Sequence, residues 1–225
     1  MANLVLVLGK TTSGKSRSII NLPPEKTYII NCLGKDLPFK GARALYNRQK
    51  TNINHTKDYR VVIKALKKLP ELKPEVTTVI IDDARHIMES EYLARATEVG
   101  YTKFTQLGQH MIEVFETAKD MPDTIDVFIM LHTDDVTNGQ DIVSMKAKLV
   151  GSLVENHFDP MEIATICLIT YVQISEGSIA YKFATNKQDL AGVDYPAKSP
   201  EGMFEDLLID NDLLFVKESI HKYYY

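Results

Sequence analysis

Apolar residues in this chain fall into short unbroken runs, separated by longer stretches patterned like helices. Leu4–Leu8 is a continuous apolar run, the signature of a parallel strand buried on both faces. Thr27–Asn31 is β-branched and aromatic and predicts a second strand, and Ala42–Tyr46 a short third. Val61, Val62, Ala65, Leu66 and Leu69 recur at helical spacing, so Asp58 to Leu69 predicts a helix with Asp58 as N-cap and Pro70 and Pro74 closing it. Val76–Ile81 and Ile125–Leu131 are further strand-like runs, the first followed by Asp82-Asp83 and the second ending at His132. Between them, residues from about 84 to 120 carry two helical stretches parted near Gly100. Thr133 to Asp141 is polar and predicts a loop, whereas Ala164–Glu176 and Ser178–Thr185 flank Gly177 as a hairpin. A short helix is expected near the end of the chain. The alternation of strands and helices over the first 130 residues predicts an α/β fold: a mainly parallel sheet flanked by helices, with a C-terminal antiparallel hairpin at one edge.

Composition narrows the class. A length of 225 residues fits a single domain, 1–225, and 44% hydrophobic content supplies a core. The net charge of −4 excludes a globally basic nucleic-acid coat. Two cysteines, Cys32 and Cys167, lie far apart, which excludes a disulfide framework or a cysteine-rich zinc site and makes a reducing, cytoplasmic setting the expectation. No apolar run is long enough to span a membrane. The apolar N-terminus lacks a basic flank and a small-residue cleavage site, so it reads as a strand rather than a signal peptide.

The strongest chemical signal follows that first strand. Gly9-Lys10-Thr11-Thr12-Ser13-Gly14-Lys15-Ser16 matches GxxxxGK[ST] in full, between a buried strand and an expected helix over Lys15–Asn21 that Pro23-Pro24 ends. Glycines let the backbone wrap a phosphate while successive N–H groups point inward. Lys15 would reach the β- and γ-phosphates and Ser16 would ligate Mg²⁺. Asp82 closes an apolar strand, where a carboxylate faces the ligand crevice of a parallel sheet, and is the expected second Mg²⁺ residue. Asp83 is a candidate base. A strand ending at His132 can insert between the other two and place the imidazole beside the γ-phosphate as a sensor. Charge is uneven: Lys35 to Lys73 holds eleven Lys or Arg against three acids, so that stretch is +8 and the remainder −12. Lys64, Lys67 and Lys68 on the expected helix, with Lys146 and Lys148 after the polar segment, are candidate DNA-binding residues; the competing reading is a solvated face.

These features together resemble the phage-encoded RecA-like P-loop nucleotide-binding proteins, some of which are grouped with single-strand annealing recombinases. The loop alone says NTPase; Lys35-Asp-Leu-Pro-Phe39 and Ala197-Lys-Ser-Pro-Glu-Gly-Met-Phe204 carry the narrower likeness. The resemblance implies a RecA-like P-loop NTPase core, ATP and Mg²⁺ as ligands, and a role on single-stranded DNA in phage recombination or replication, in the host cytoplasm. It also implies a single-strand-binding protein as partner and a ring or filament of identical subunits. A neighbour's basic residue would then complete the site, for which Lys182, Lys187 and Lys198 are candidates. The chain departs from RecA in two places. No acid precedes Asp36 where RecA has a catalytic Glu, and His132 stands where RecA has Gln. Two other readings are a nucleotide kinase, disfavoured because Arg is absent beyond Arg95, and a nucleotide-dependent scaffold with little turnover.

Overall fold

The computed structural model describes residues 1–151, 154 and 158–225. Its strands are β1 (Asn3–Leu8), β2 (Thr27–Asn31), β3 (Ile53–His55), β4 (Thr78–Asp82), β5 (Asp126–Leu131), β6 (Thr133–Asn138), β7 (Asp141–Ala147), β8 (Ile166–Ser175), β9 (Ser178–Ala184), β10 (Gln188–Leu190), β11 (Val193–Tyr195) and β12 (Leu208–Asp210). The helices are α1 (Ala42–Leu45), α2 (Tyr59–Leu72), α3 (Arg85–Ala94), α4 (Thr102–Lys119), α5 (Pro160–Ile163) and α6 (Leu213–Tyr224).

Eight strands form the central sheet in the order β12-β9-β8-β1-β5-β4-β2-β3. The six from β8 to β3 run parallel, and β9 and β12 add antiparallel pairing at one edge. This is the α/β architecture the sequence predicts, a mainly parallel sheet flanked by helices with antiparallel strands at one edge. β5 lies between β1 and β4, so the strand leading to His132 does insert between the phosphate-loop strand and the Asp82 strand. Alternation along each strand sorts side chains to two faces. Leu4, Leu6 and Leu8 of β1 join Val127, Ile129 and Leu131 of β5 in a core covered by α2, α3 and α4. Val5, Val7, Phe128 and Met130 point the other way, toward Ile19, α1 and the buried face of α6.

Four expectations need correction. Ala42–Tyr46 is not a strand; Ala42–Leu45 forms α1, because Ala-Arg-Ala-Leu are strong helix formers, and the extra edge strand is β3. Pro70 does not end α2, which runs on to Leu72: Pro70 lies in the last turn, where a missing N–H costs one bond, and Lys73 N–H still bonds Leu69 O at 2.9 Å. The segment after Gly14 is not an α-helix but a 3₁₀ turn over Ser16–Ile19, cut short by Pro23 and Pro24. Thr133 to Asp141 is no loop: β6 and β7 form a hairpin with Gly139 at φ +64° in its turn, and a second sheet grows from it in the order β10-β11-β7-β6. The polar outer half of β6 hid the alternation that betrays a strand.

The C-terminal helix is fastened to the sheet by a buried acid. Asp126, at the start of β5, accepts hydrogen bonds from Asn3 Nδ2 at 2.8 Å and His221 Nε2 at 2.9 Å, with Lys217 Nζ at 3.5 Å. Burial depresses the Lys217 pKa while Asp126 pulls it back up. Replacing Asp126 by Ala removes the acceptor of Asn3 and His221 and the counter-charge of Lys217, which keeps its bonds to Thr77 and Thr78. We expect a loss of roughly 2–4 kcal/mol in urea unfolding; a change below about 0.5 kcal/mol, the usual scale of a surface substitution, would show that α6 is not held there.

Candidate functional site

The loop between β1 and the 3₁₀ turn is held from several sides. Gly9 N–H bonds Leu131 O at 3.2 Å. Thr170 of β8 donates to Ser13 Oγ at 2.6 Å, and Ser13 Oγ donates to Lys10 O at 2.6 Å. Thr170 also explains the first glycine, since a Cβ at Gly9 would stand 1.8 Å from Thr170 Oγ1. Gly14 has φ +97°, and a Cβ there would meet the Tyr181 ring at 2.7 Å. The loop is therefore packed as closely as a phosphate cradle requires.

Lys15 is 5% exposed and turns back over the loop, donating to Gly9 O at 2.7 Å and Lys10 O at 2.8 Å. Burial pulls its pKa down to about 8, against the raising influence of Asp83 and Asp82. The Ser16 hydroxyl donates to Asp82 Oδ1 at 2.9 Å, and Asp82 is fully buried. Burial first, and the charge of Asp83 second, push the Asp82 carboxyl up to about 6. Its Oδ2 has no hydrogen-bond partner. That orphaned oxygen beside a hydroxyl is the donor set a hard divalent cation takes when phosphates and water supply its other ligands. Among the described residues no cluster of three or more His, Cys, Asp or Glu side chains could hold a metal by itself.

Asp83 sits at φ +56°, an unusual conformation for a residue with a side chain, directly after β4. Its carboxylate faces Lys35 Nζ at 2.6 Å and His132 Nε2 at 3.1 Å. Burial opposes its ionisation, but the bonds from His132 and Lys35 and the Lys35 charge outweigh burial and hold the carboxyl below the ordinary range. Facing an acceptor, His132 carries its proton on Nε2. A cavity of about 340 Å³ joins these groups, running from Lys35, Asp83 and His132 along the loop to Arg17 and Tyr181. The Arg17 guanidinium lies 5.2 Å over the Tyr181 ring at that far end.

The structure thus brings Gly9 to Ser16, Asp82, Asp83 and His132 into one site. It does not bring in the other candidates. Lys182 pairs with Asp210 at 2.6 Å and Lys187 lies 3.7 Å from Asp194, while the Lys198 backbone bridges Cys167; none of the three lines the cavity. Lys64, Lys67 and Lys68 are exposed on α2, Lys146 stands opposite Asp134 on the hairpin, and Lys148 pairs with Asp134. Four contributors escaped the sequence reading. Lys35 stands out in the sequence as part of a basic stretch and of the Lys35–Phe39 segment, neither of which marks it as a site residue. Arg17, Thr170 and Tyr181 have no local motif: Thr170 and Tyr181 reach the loop because β8 lies beside β1 and β9 beside β8, and Arg17 is met by Tyr181.

No family model matches the chain, and neither does any curated protein. Among solved structures, a KaiC-like protein from the hyperthermophilic archaeon Pyrococcus horikoshii OT3 is similar, at 12% identity, covering 86% of this chain and 89% of that one, with a TM-score of 0.44.

The electrostatics of Asp82 are measurable without any ligand. Its folded-state pKa of about 6 lies above the ordinary carboxyl value of 3.8, so as pH rises the unfolded chain ionises first and the folded state loses stability across that window. With chelator present, Asp82→Asn escapes that loss. The variant is expected to be more stable than the parent by roughly 1–3 kcal/mol at neutral pH, the difference shrinking toward zero as pH falls to about 4. A difference that stays constant across this range in thermal melts would mean the carboxyl is not desolvated.

Proposed function

We propose that the chain is a P-loop ATPase that binds its nucleotide in the Gly9–Ser16 loop. The observation that carries the reading is the convergence of a full phosphate-loop motif with Lys15, Ser16, Asp83 and His132 around one cavity, with Asp82 behind Ser16. Its volume of about 340 Å³ is in the ordinary range of small-ligand sites. Loop amides would cradle the phosphates, and Lys15 would exchange the carbonyls of Gly9 and Lys10 for phosphate oxygens. Ser16 and the free oxygen of Asp82 would hold Mg²⁺, which neutralises phosphate charge when bound. Asp83 would orient or deprotonate an attacking water, and His132 would report the terminal phosphate to the hairpin that begins one residue later.

The narrower reading, a phage-type recombination or replication ATPase acting on single-stranded DNA, rests on the resemblance of the Lys35–Phe39 and Ala197–Phe204 segments. The exposed lysines of α2 and the hairpin would supply phosphate contacts to DNA. Lys182, Lys187 or Lys198 would act across an interface between copies, after leaving their present partners. A second reading, a nucleotide-gated scaffold with little turnover, is favoured by one observation: Asp83 is engaged by Lys35 and His132, and Leu33 occupies the segment where RecA has its acid.

ATP turnover measured with and without single-stranded DNA separates these readings. Stimulation by DNA supports the first, and binding without turnover the scaffold. Lys15→Ala should lower turnover at least a hundredfold while leaving the melting transition in place; full activity in that variant would remove the assignment of the loop. Reversing charge at Lys64, Lys67 and Lys68 together should weaken DNA binding and flatten its dependence on salt, and an unchanged slope would return α2 to the role of a solvated face.

A further inference from the structure

Lys35 is built into the cavity rather than left on the surface. Asn31 at the end of β2 is fully buried and folds the following residues into a tight turn. Its Oδ1 accepts from Gly34 N–H at 2.7 Å and its Nδ2 donates to Lys35 O at 2.7 Å, with Gly34 at φ +73°. β2 pairs directly with β4, with Asn31 opposite Asp82, so this turn hangs beside Asp83. The Lys35 side chain remains 47% exposed, yet its ammonium lines the cavity and lies 2.6 Å from Asp83 Oδ2.

Two lysines therefore approach the same space from different walls, each resting on a protein oxygen. Lys15 rests on loop carbonyls; Lys35 rests on the Asp83 carboxylate. The Lys35 charge adds to burial in lowering the Lys15 pKa. Their positions along the cavity differ. The loop and Lys15 form one wall of the cavity, and Lys35 shares another with Asp83 and His132.

We propose that Lys35 is a specificity-determining cation, supplied by the same chain, that distinguishes nucleoside triphosphate from diphosphate. On loading, its ammonium leaves Asp83 for oxygens of the terminal phosphate. The exchange replaces one charge-assisted contact by another, so it asks for little reorganisation. A diphosphate ends short of this wall and leaves Lys35 on Asp83. The inference rests on the reading of the loop as a triphosphate site and adds to it a cis-acting residue where RecA-type proteins are expected to draw on a neighbour.

The test is equilibrium binding of ADP and of a non-hydrolysable ATP analogue, with Mg²⁺, to the full chain. Lys35→Ala should lower analogue affinity roughly tenfold or more, the scale of one charge-assisted hydrogen bond, and leave ADP affinity within about twofold. Lys35→Arg should restore most of the loss. Equal losses for both nucleotides would overturn the proposal, because Lys35 would then act generally. The Asp83→Asn background distinguishes direct contact from charge balancing. If Lys35 touches the terminal phosphate, Lys35→Ala remains costly there; if it is silent there, Lys35 is only the counter-ion of Asp83 and the proposal fails. A parent protein that retains neither nucleotide would overturn the triphosphate-site reading itself, a result visible before any Lys35 variant is made.

Discussion

Two adjacent carboxyl groups, both taken out of water at the end of β4, impose the constraint around which the site is arranged. Neighbouring buried acids repel each other's ionised forms, and burial penalises each one separately. The chain resolves the conflict unequally. Asp83 receives Lys35 and His132 and stays ionised, whereas Asp82 has one hydrogen bond, from Ser16, and its pKa is pushed up to about 6. The left-handed backbone at Asp83 makes this possible. In a regular strand Asp82 and Asp83 would point to opposite faces, and the turn at φ +56° lets both serve the same end of the sheet. What results is a site that holds one acid satisfied and leaves the other short of positive charge, next to the loop that would bring phosphate. A divalent cation lying between Asp82 and a phosphate would remove both deficits at once.

The aborted helix after the loop shifts the burden of anion binding. A long helix contributes partial positive charge at its N-terminus from aligned peptide dipoles, and a 3₁₀ turn over Ser16–Ile19 contributes little. Pro23 and Pro24 follow too closely for more turns to form. Attraction for a phosphate would then depend more on cations, which gives physical sense to a second lysine in the cavity. It also accounts for the tight packing of Thr170 and Tyr181 against the loop glycines: where a helix does not brace the loop, β8 and β9 do.

How much of this was legible in the sequence depends on range. The phosphate loop could be read because its eight residues are contiguous and its steric demands local. Asp82 and His132 could be read because each ends a run that is apolar enough to be a buried strand, and the insertion of β5 between β1 and β4 then put them together. Lys35 could not be read as a site residue. Its role needs the adjacency of β2 and β4 and the Asn31 turn, and in the sequence it is one lysine among many. The β6–β7 hairpin was missed for a different reason: Asn138-Gly139 was a usable turn signal, but the exposed outer residues of β6 carry no apolar alternation to accompany it.

The hairpin also shows how the cavity communicates with its surroundings. Lys10, inside the loop, pairs with Asp135 of β6 at 2.8 Å, and both side chains are partly open to solvent. Such a pair is weak, so breaking it is inexpensive. On the proposed reading, a phosphate drawn into the loop would compete with Asp135 for the Lys10 ammonium and would change what His132 faces at the root of the hairpin. His132 and Asp135, both near the start of β6, would thus meet groups whose preferred partner depends on whether an anion is present. By linkage, any ligand that fixes the hairpin in one position alters anion affinity in equal measure. If the loop holds an anion, the loop and the hairpin would respond together, joined by charges that each have two possible partners.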